Sequence, residues 1–262
     1  MSATTTVEVT REQFNCRMDG PQGAEVVVLS NSLGTNLAMW EPQLAVLTQR
    51  FRVLRYDTRG HGASSVTPGP YSIPQLGRDV LGLLDALKVR RAHFCGLSLG
   101  GVTGMWLALN APGRIDRLVL CNTAPKIFTH EAWNARIENV RKGGIESIAD
   151  AVIGGWLTQG FREREPATAA RMRAMLTATP AEGYLGCCAA IRDIDLREAI
   201  RGIRLPTLII AGTHDKATPP VDGRAMQQAV PGSRYAELEA AHISNIEVAD
   251  AFNAALNGFL AG

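Results

Sequence analysis

Two kinds of apolar pattern alternate along the chain. Residues 25–30, 51–56, 92–95, 117–121 and 207–211 form short runs in which most positions are apolar. Such runs are expected of strands covered on both faces, because neither side of the strand has to meet water. Residues 7–10 and 13–18 predict two further short strands, and residues 233–238 a weaker one. Between the runs the spacing changes. Ile73, Leu76, Val80, Leu83, Leu84 and Leu87 recur every three or four residues and predict a helix. Pro74 sits near its start, where a missing N–H leaves no bond unmade. Residues 102–110 predict a second helix, ended by Pro112-Gly113, and Ala249, Phe252, Leu256 and Phe259 mark a terminal amphipathic one. Strand and helix in alternation predict an α/β architecture, a mostly parallel sheet with helices on both faces.

One stretch departs from this alternation. Residues 125–200 carry no strand pattern and read as helices interrupted at Gly143-Gly144, Gly154-Gly155 and Pro166. The expected organisation is a core of residues 1–124 and 201–262 with residues 125–200 inserted as a helical lid. A chain of 262 residues is long enough to bury a large core around such an insertion.

Composition narrows the function classes. Apolar residues make up 46% and charged residues 20% of the chain, an ordinary globular balance. The formal net charge of +2 offers no basic surface for nucleic acid or an anionic membrane. No apolar run reaches the 18 or more residues a membrane-spanning helix needs. Residues 1–10 lack a basic stretch followed by an apolar one, so no signal peptide is expected. The five cysteines, Cys16, Cys95, Cys121, Cys187 and Cys188, are odd in number and lack C-x-x-C spacing. They predict buried thiols in a reducing cytoplasm and no metal site. A homo-oligomer stays open.

The candidate chemistry begins at Gly96-Leu97-Ser98-Leu99-Gly100, a G-x-S-x-G pattern between an apolar strand and a helix. A sharp strand-to-helix turn strains the serine backbone and lifts its hydroxyl off the carboxyl end of the sheet. Side chains two residues before and after would collide, so both positions have to be small. A serine hydroxyl is a weak nucleophile until a base takes its proton. In this arrangement the chain order is serine, acid, histidine. Among His61, His93, His130, His214 and His242, only His242 follows the last predicted strand. Asp215 directly follows the 207–211 strand and is the favoured acid over Asp222 and Asp116. Two backbone donors have to meet the oxyanion. They are expected to be the N–H of Leu99 and, from the loop after the first long apolar run, that of Leu33.

These segments together resemble 3-oxoadipate enol-lactonases of the β-ketoadipate pathway, within the α/β-hydrolase superfamily. The matching stretches are Asn31-Ser-Leu-Gly-Thr-Asn-Leu-Ala-Met-Trp40, Tyr56-Asp-Thr-Arg-Gly-His-Gly-Ala-Ser64, Cys95-Gly-Leu-Ser-Leu-Gly-Gly101, Gly212-Thr-His-Asp-Lys-Ala-Thr-Pro-Pro220 and Ala241-His-Ile-Ser-Asn245. Where many superfamily members carry His-Gly, this chain has Asn31-Ser32. The resemblance implies the α/β-hydrolase fold and a small carboxylated lactone as substrate, opened to 3-oxoadipate without cofactor. A substrate carboxylate calls for a cation in the cleft. Residues 125–200 hold ten Lys or Arg and ten Asp or Glu, so bulk charge does not locate it. Arg136, three residues after Trp133, is the candidate clamp, by analogy, and Trp133 the candidate cleft wall. Other small esters, a carbon–carbon bond or a peracid are alternative substrates on the same fold, and a non-catalytic ligand receptor is an alternative of another class.

Overall fold

The structure is a computed structural model and describes residues 4–262. Residues 1–3, part of the stretch read for a signal peptide, lie outside the described residues. Eight strands form one sheet: β1 (Thr5–Val9), β2 (Glu12–Asp19), β3 (Val26–Ser30), β4 (Arg52–Tyr56), β5 (Ala92–Leu97), β6 (Ile115–Cys121), β7 (Thr207–Gly212) and β8 (Arg234–Leu238), in the order β1-β2-β4-β3-β5-β6-β7-β8. β1 runs antiparallel to β2, and β2 to β4; the other pairings are parallel. Every predicted strand is present, displaced by no more than two residues at each end. The apolar runs are strands for the expected reason: β5 and β7 are buried at all of their positions.

Between the strands lie α1 (Glu41–Leu47), α2 (Ile73–Ala86) and α3 (Leu99–Asn110). After β6 come α4 (His130–Gly143), α5 (Glu146–Trp156), α6 (Gln159–Arg164), α7 (Pro166–Thr177) and α8 (Ala181–Asp193). The chain ends with α9 (Pro220–Ala229), α10 (Ser244–Glu247) and α11 (Ala249–Leu260). In α2 the predicted stripe Ile73, Leu76, Val80, Leu83 and Leu84 is buried, and the Ser72 hydroxyl caps the helix by accepting from the Gln75 N–H. α3 begins three residues earlier than its apolar pattern, directly after Ser98.

The expectation for Gly154-Gly155 needs correction. These residues do not interrupt a helix but lie inside α5, near its end. A Cβ on either would meet nothing within 4 Å, and both border the cavity described below. Here the missing side chains keep space open rather than break the backbone. Pro166 does start a helix, and Gly144 ends one at a φ of 67°.

The topology places the site. From β3 the chain moves outward to β4, then crosses back to β5 on the other side of β3. Loops leaving the carboxyl ends of β3 and β5 therefore diverge and leave a crevice, the usual ligand position in an open parallel sheet. Residues 31–36 and Ser98 occupy those two loops.

Candidate active site

Ser98 sits at the turn between β5 and α3 with φ 57° and ψ −115°, a left-handed conformation costly for a residue with a Cβ. Three hydrogen bonds hold it there. The Ser98 N–H donates to the Cys121 carbonyl at 2.9 Å. The Ser98 carbonyl accepts from the Val102 N–H at 3.0 Å and the Thr123 hydroxyl at 2.8 Å. The expected need for small neighbours is visible in the packing. A Cβ on Gly96 would lie 2.2 Å from the Gly100 carbonyl oxygen, and one on Gly100 would lie 2.2 Å from that of Ser30.

Asp215 follows β7 and His242 follows β8, and a 2.8 Å contact joins His242 Nδ1 to Asp215 Oδ2. A carboxylate only accepts, so the proton sits on Nδ1 and Nε2 is left as the acceptor. Burial pushes the Asp215 carboxyl up, but the facing His242 ring and the Thr218 donors outweigh it and hold the pKa down to about 2. Oδ2 also accepts from the Thr218 hydroxyl at 2.7 Å and Asn122 Nδ2 at 3.1 Å; Oδ1 accepts from the Ala217 and Thr218 N–H groups. The rival acids lie elsewhere: Asp116 pairs with Arg91, and Asp222 lies in α9. Of the other histidines, His214 is exposed and paired with Glu239, and His130 is exposed at the start of α4.

Ser98 and His242 line one cavity of about 310 Å³, together with Leu33, Trp133 and Arg136. The Ser98 hydroxyl has no hydrogen-bond partner among the described residues; nucleophile–base bonds are often long before substrate binds. The helices between β6 and β7 supply one wall. The end of α5 is tied to the His242 loop, because the Ile243 N–H donates to the Trp156 carbonyl at 3.0 Å. The Glu247 carboxylate bridges the Thr158 and Ala241 N–H groups at 3.2 and 2.9 Å.

The Leu33 N–H has no acceptor among the described residues, although those of Ser32, Gly34 and Thr35 are all engaged. Leu99 is the first residue of α3, where N–H groups have no partner within the helix. Asn31 stands where many superfamily members carry histidine, and its side chain pins the loop. Nδ2 donates to the Tyr56 carbonyl at 2.7 Å, and Oδ1 accepts from Trp40 Nε1 at 2.9 Å. The Asp57–Ser64 loop supports the same segment from below. Asp57 Oδ1 accepts from the Leu37 N–H at 2.8 Å, and His61 Nε2 from the Gly34 N–H at 3.0 Å.

His61 makes the site acid-sensitive. Burial pushes its pKa from 6.5 down to about 4. The unfolded chain therefore binds a proton between pH 6.5 and 4 that the folded chain refuses, so stability falls as the pH is lowered through that window. Across the whole window the loss is on the order of 3 kcal/mol. Urea unfolding midpoints between pH 7 and pH 4 are expected to show this slope in the wild type and to lose the His61 share of it in His61→Gln, the rest staying with His93, which burial also holds below its ordinary value. An unchanged slope in the variant would assign the acid loss to other groups.

Trp133 and Arg136 share a face of α4, as expected. The Arg136 guanidinium lies 5.3 Å from the Trp133 ring centroid and 5.9 Å from that of Phe128. Trp133 is buried and donates Nε1–H to the Ile127 carbonyl at 2.6 Å. Arg136 has no carboxylate partner among the described residues. It also lies beside Tyr184, whose phenol burial pushes up while the Arg136 cation pulls the other way. Tyr184, Lys216 and Ser32 also line the cavity, and Asn122 braces the acid. The sequence reading assigned none of these four a role. Asn122, directly after a buried strand as Asp215 nearly is, was the one with a positional signal. Among the described residues no group of three or more His, Cys, Asp or Glu is placed to hold a metal ion. No described helix is long and apolar enough to cross a membrane.

A serine in a strained turn, a histidine–aspartate pair and unengaged N–H groups at one rim are a hydrolase arrangement, and the comparisons agree. Residues 25–249 match the α/β hydrolase fold family. The chain belongs to this family. Two 3-oxoadipate enol-lactonases of Acinetobacter baylyi are similar over nearly their whole length. Enol-lactonase 2 is 43% identical over 92% of this chain and 90% of its own, and enol-lactonase 1 is 39% identical over 99% and 98%. The crystal structure of the enol-lactonase from Burkholderia xenovorans LB400 superposes with a TM-score of 0.97 at 50% identity, covering 98% of this chain and all of that one. The resemblance drawn from the motifs is thus borne out across the hydrolase, as is the expected fold.

Proposed function

We propose that the protein opens a small carboxylated enol-lactone to 3-oxoadipate through an acyl-enzyme. Ser98 attacks the lactone carbonyl while His242 Nε2 takes its proton; Asp215 holds the imidazole tautomer and stabilises the imidazolium. The Leu33 and Leu99 N–H groups receive the oxyanion. Ring opening expels an enolate, an easy leaving group that becomes a ketone on protonation at carbon; the imidazolium gives up its proton in this step, so His242 is again a base. Water activated by His242 then releases the second carboxylate and restores Ser98. No cofactor is required by this sequence of steps. Residues 125–200 serve as the lid over the cavity. Cytoplasmic action is supported by five buried cysteines that are all unpaired.

One observation carries the choice of substrate. Arg136, with no carboxylate partner among the described residues, faces the same cavity as Ser98 and His242. A cation so placed answers a substrate carboxylate, and Trp133 gives the apolar ring a flat wall. The test compares the enol-lactone with uncharged aryl esters. The lactone is expected to have the far higher kcat/KM. Arg136→Ala should raise its KM roughly ten- to hundredfold, the loss of a charge-assisted hydrogen bond, and leave the aryl esters nearly unchanged. Equal KM in wild type and variant removes the clamp. Faster turnover of uncharged esters moves the protein to the alternative of a general small-ester hydrolase.

A further inference from the structure

We propose that the Ser32 hydroxyl is a third donor to the reacting carbonyl, beside the N–H groups of Leu33 and Leu99. Ser32 is 2% exposed and lines the cavity with Ser98, Leu33 and His242. Its main-chain groups are spoken for: the N–H donates to Met39 Sδ at 3.4 Å, and the carbonyl accepts from the Thr35 N–H at 3.2 Å and the Thr35 hydroxyl at 2.8 Å. Its hydroxyl has no partner among the described residues. The contrast with its neighbours is sharp. The Ser30 hydroxyl pairs with Tyr56 at 2.7 Å, Asn31 uses both side-chain atoms, and Asn36 Oδ1 caps the Ala38 N–H at 3.0 Å. In this loop the polar side chain left over is the one beside the nucleophile. A hydroxyl that opens onto the cavity with no partner among the described residues is free to bond a ligand held there.

The inference rests on the lactone reading for its direction. An enol-lactone carboxylate carries only oxygen acceptors and no N–H or O–H group, so Ser32 has to donate. Arg136 answers the carboxylate, whereas Ser32 directly precedes Leu33 in the loop that meets the oxyanion. The hydroxyl therefore donates to the lactone carbonyl oxygen, and its bond strengthens as that oxygen gains charge. The proton stays on Ser32 throughout.

The experiment uses Ser32→Ala and Ser32→Gly. Both are expected to lower kcat for the lactone roughly 10- to 100-fold with KM within about twofold, less than removal of a sole oxyanion donor costs. Affinity for a boronic acid, which forms a tetrahedral anion on Ser98, should fall by a similar factor. Affinity for a short monocarboxylate, which can pair with Arg136 and has no oxygen at the reacting carbon, should hold. The melting temperature of Ser32→Ala should stay level, because no hydrogen bond among the described residues is removed, while Ser32→Gly loses a little to chain entropy. A kcat within twofold of wild type overturns the inference. So does a parallel fall of boronate affinity, monocarboxylate affinity and melting temperature, the result expected of a merely structural serine. If the wild type does not open the lactone at all, the substrate reading fails by itself, and boronate affinity still decides Ser32.

Discussion

Ser98→Ala is expected to lower lactone turnover by roughly 10³- to 10⁶-fold while leaving the fold intact. The removed hydroxyl has no hydrogen-bond partner among the described residues, so its loss breaks no structural bond. Alanine keeps the Cβ, and the backbone bonds from Ser98 to Cys121, Val102 and Thr123 remain. The strained turn at φ 57° therefore survives with its strain unchanged. What disappears is the atom that forms the acyl bond, and the residual rate comes from oxyanion donors and substrate positioning. Steady-state kinetics, a melting curve and labelling by a fluorophosphonate probe check the three parts together. Wild-type activity in the variant would remove the acyl-enzyme mechanism, and an unlabelled wild type would favour the receptor alternative.

Asp215→Asn is expected to cost roughly 10³- to 10⁴-fold in kcat and, unlike the serine change, to lower stability as well. Asp215 accepts five hydrogen bonds, three at Oδ2 and two at Oδ1. An asparagine offers one oxygen and one NH₂. With NH₂ towards His242, that nitrogen meets three donors and the imidazole is driven to carry its proton on Nε2, where it has no use as a base for Ser98. With NH₂ turned away, the backbone N–H groups of Ala217 and Thr218 lose their acceptor. Either orientation leaves buried donors unmatched, at about 1–3 kcal/mol for each group left without a partner. Both also delete the negative charge that stabilises the imidazolium. Kinetics beside thermal unfolding of the same variant read the two effects. A variant with normal kcat would mean that His242 takes its orientation from elsewhere, and the 3.1 Å bond from Asn122 Nδ2 to the Ala241 carbonyl would become the place to look.

Much of this was local and so was visible in the residues alone. β5 and β7 declare themselves because a strand buried on both faces has no polar side to show. Ser98 declares itself because a strained turn tolerates only small residues at 96 and 100, a constraint written within five positions. His242 and Asp215 follow from chain order, each standing just past a strand. Gly154 and Gly155 misled because a glycine pair that ends a helix and one that opens a cavity are the same two letters. Which of the two applies depends on what packs opposite. Tertiary structure alone decided that Asn31 reaches Tyr56 and Trp40, that Asn122 reaches Asp215, and that the Ser32 hydroxyl has no partner among the described residues. The chain itself determined the strands, the helices at 73–86, 99–110 and 249–260 and the turn that holds Ser98, since periodicity and turn sterics act between near neighbours. The polar contacts around the site came only from folding, because a hydrogen bond between residues 93 apart, such as Asn122 and Asp215, exists only once the parallel strands β6 and β7 lie side by side.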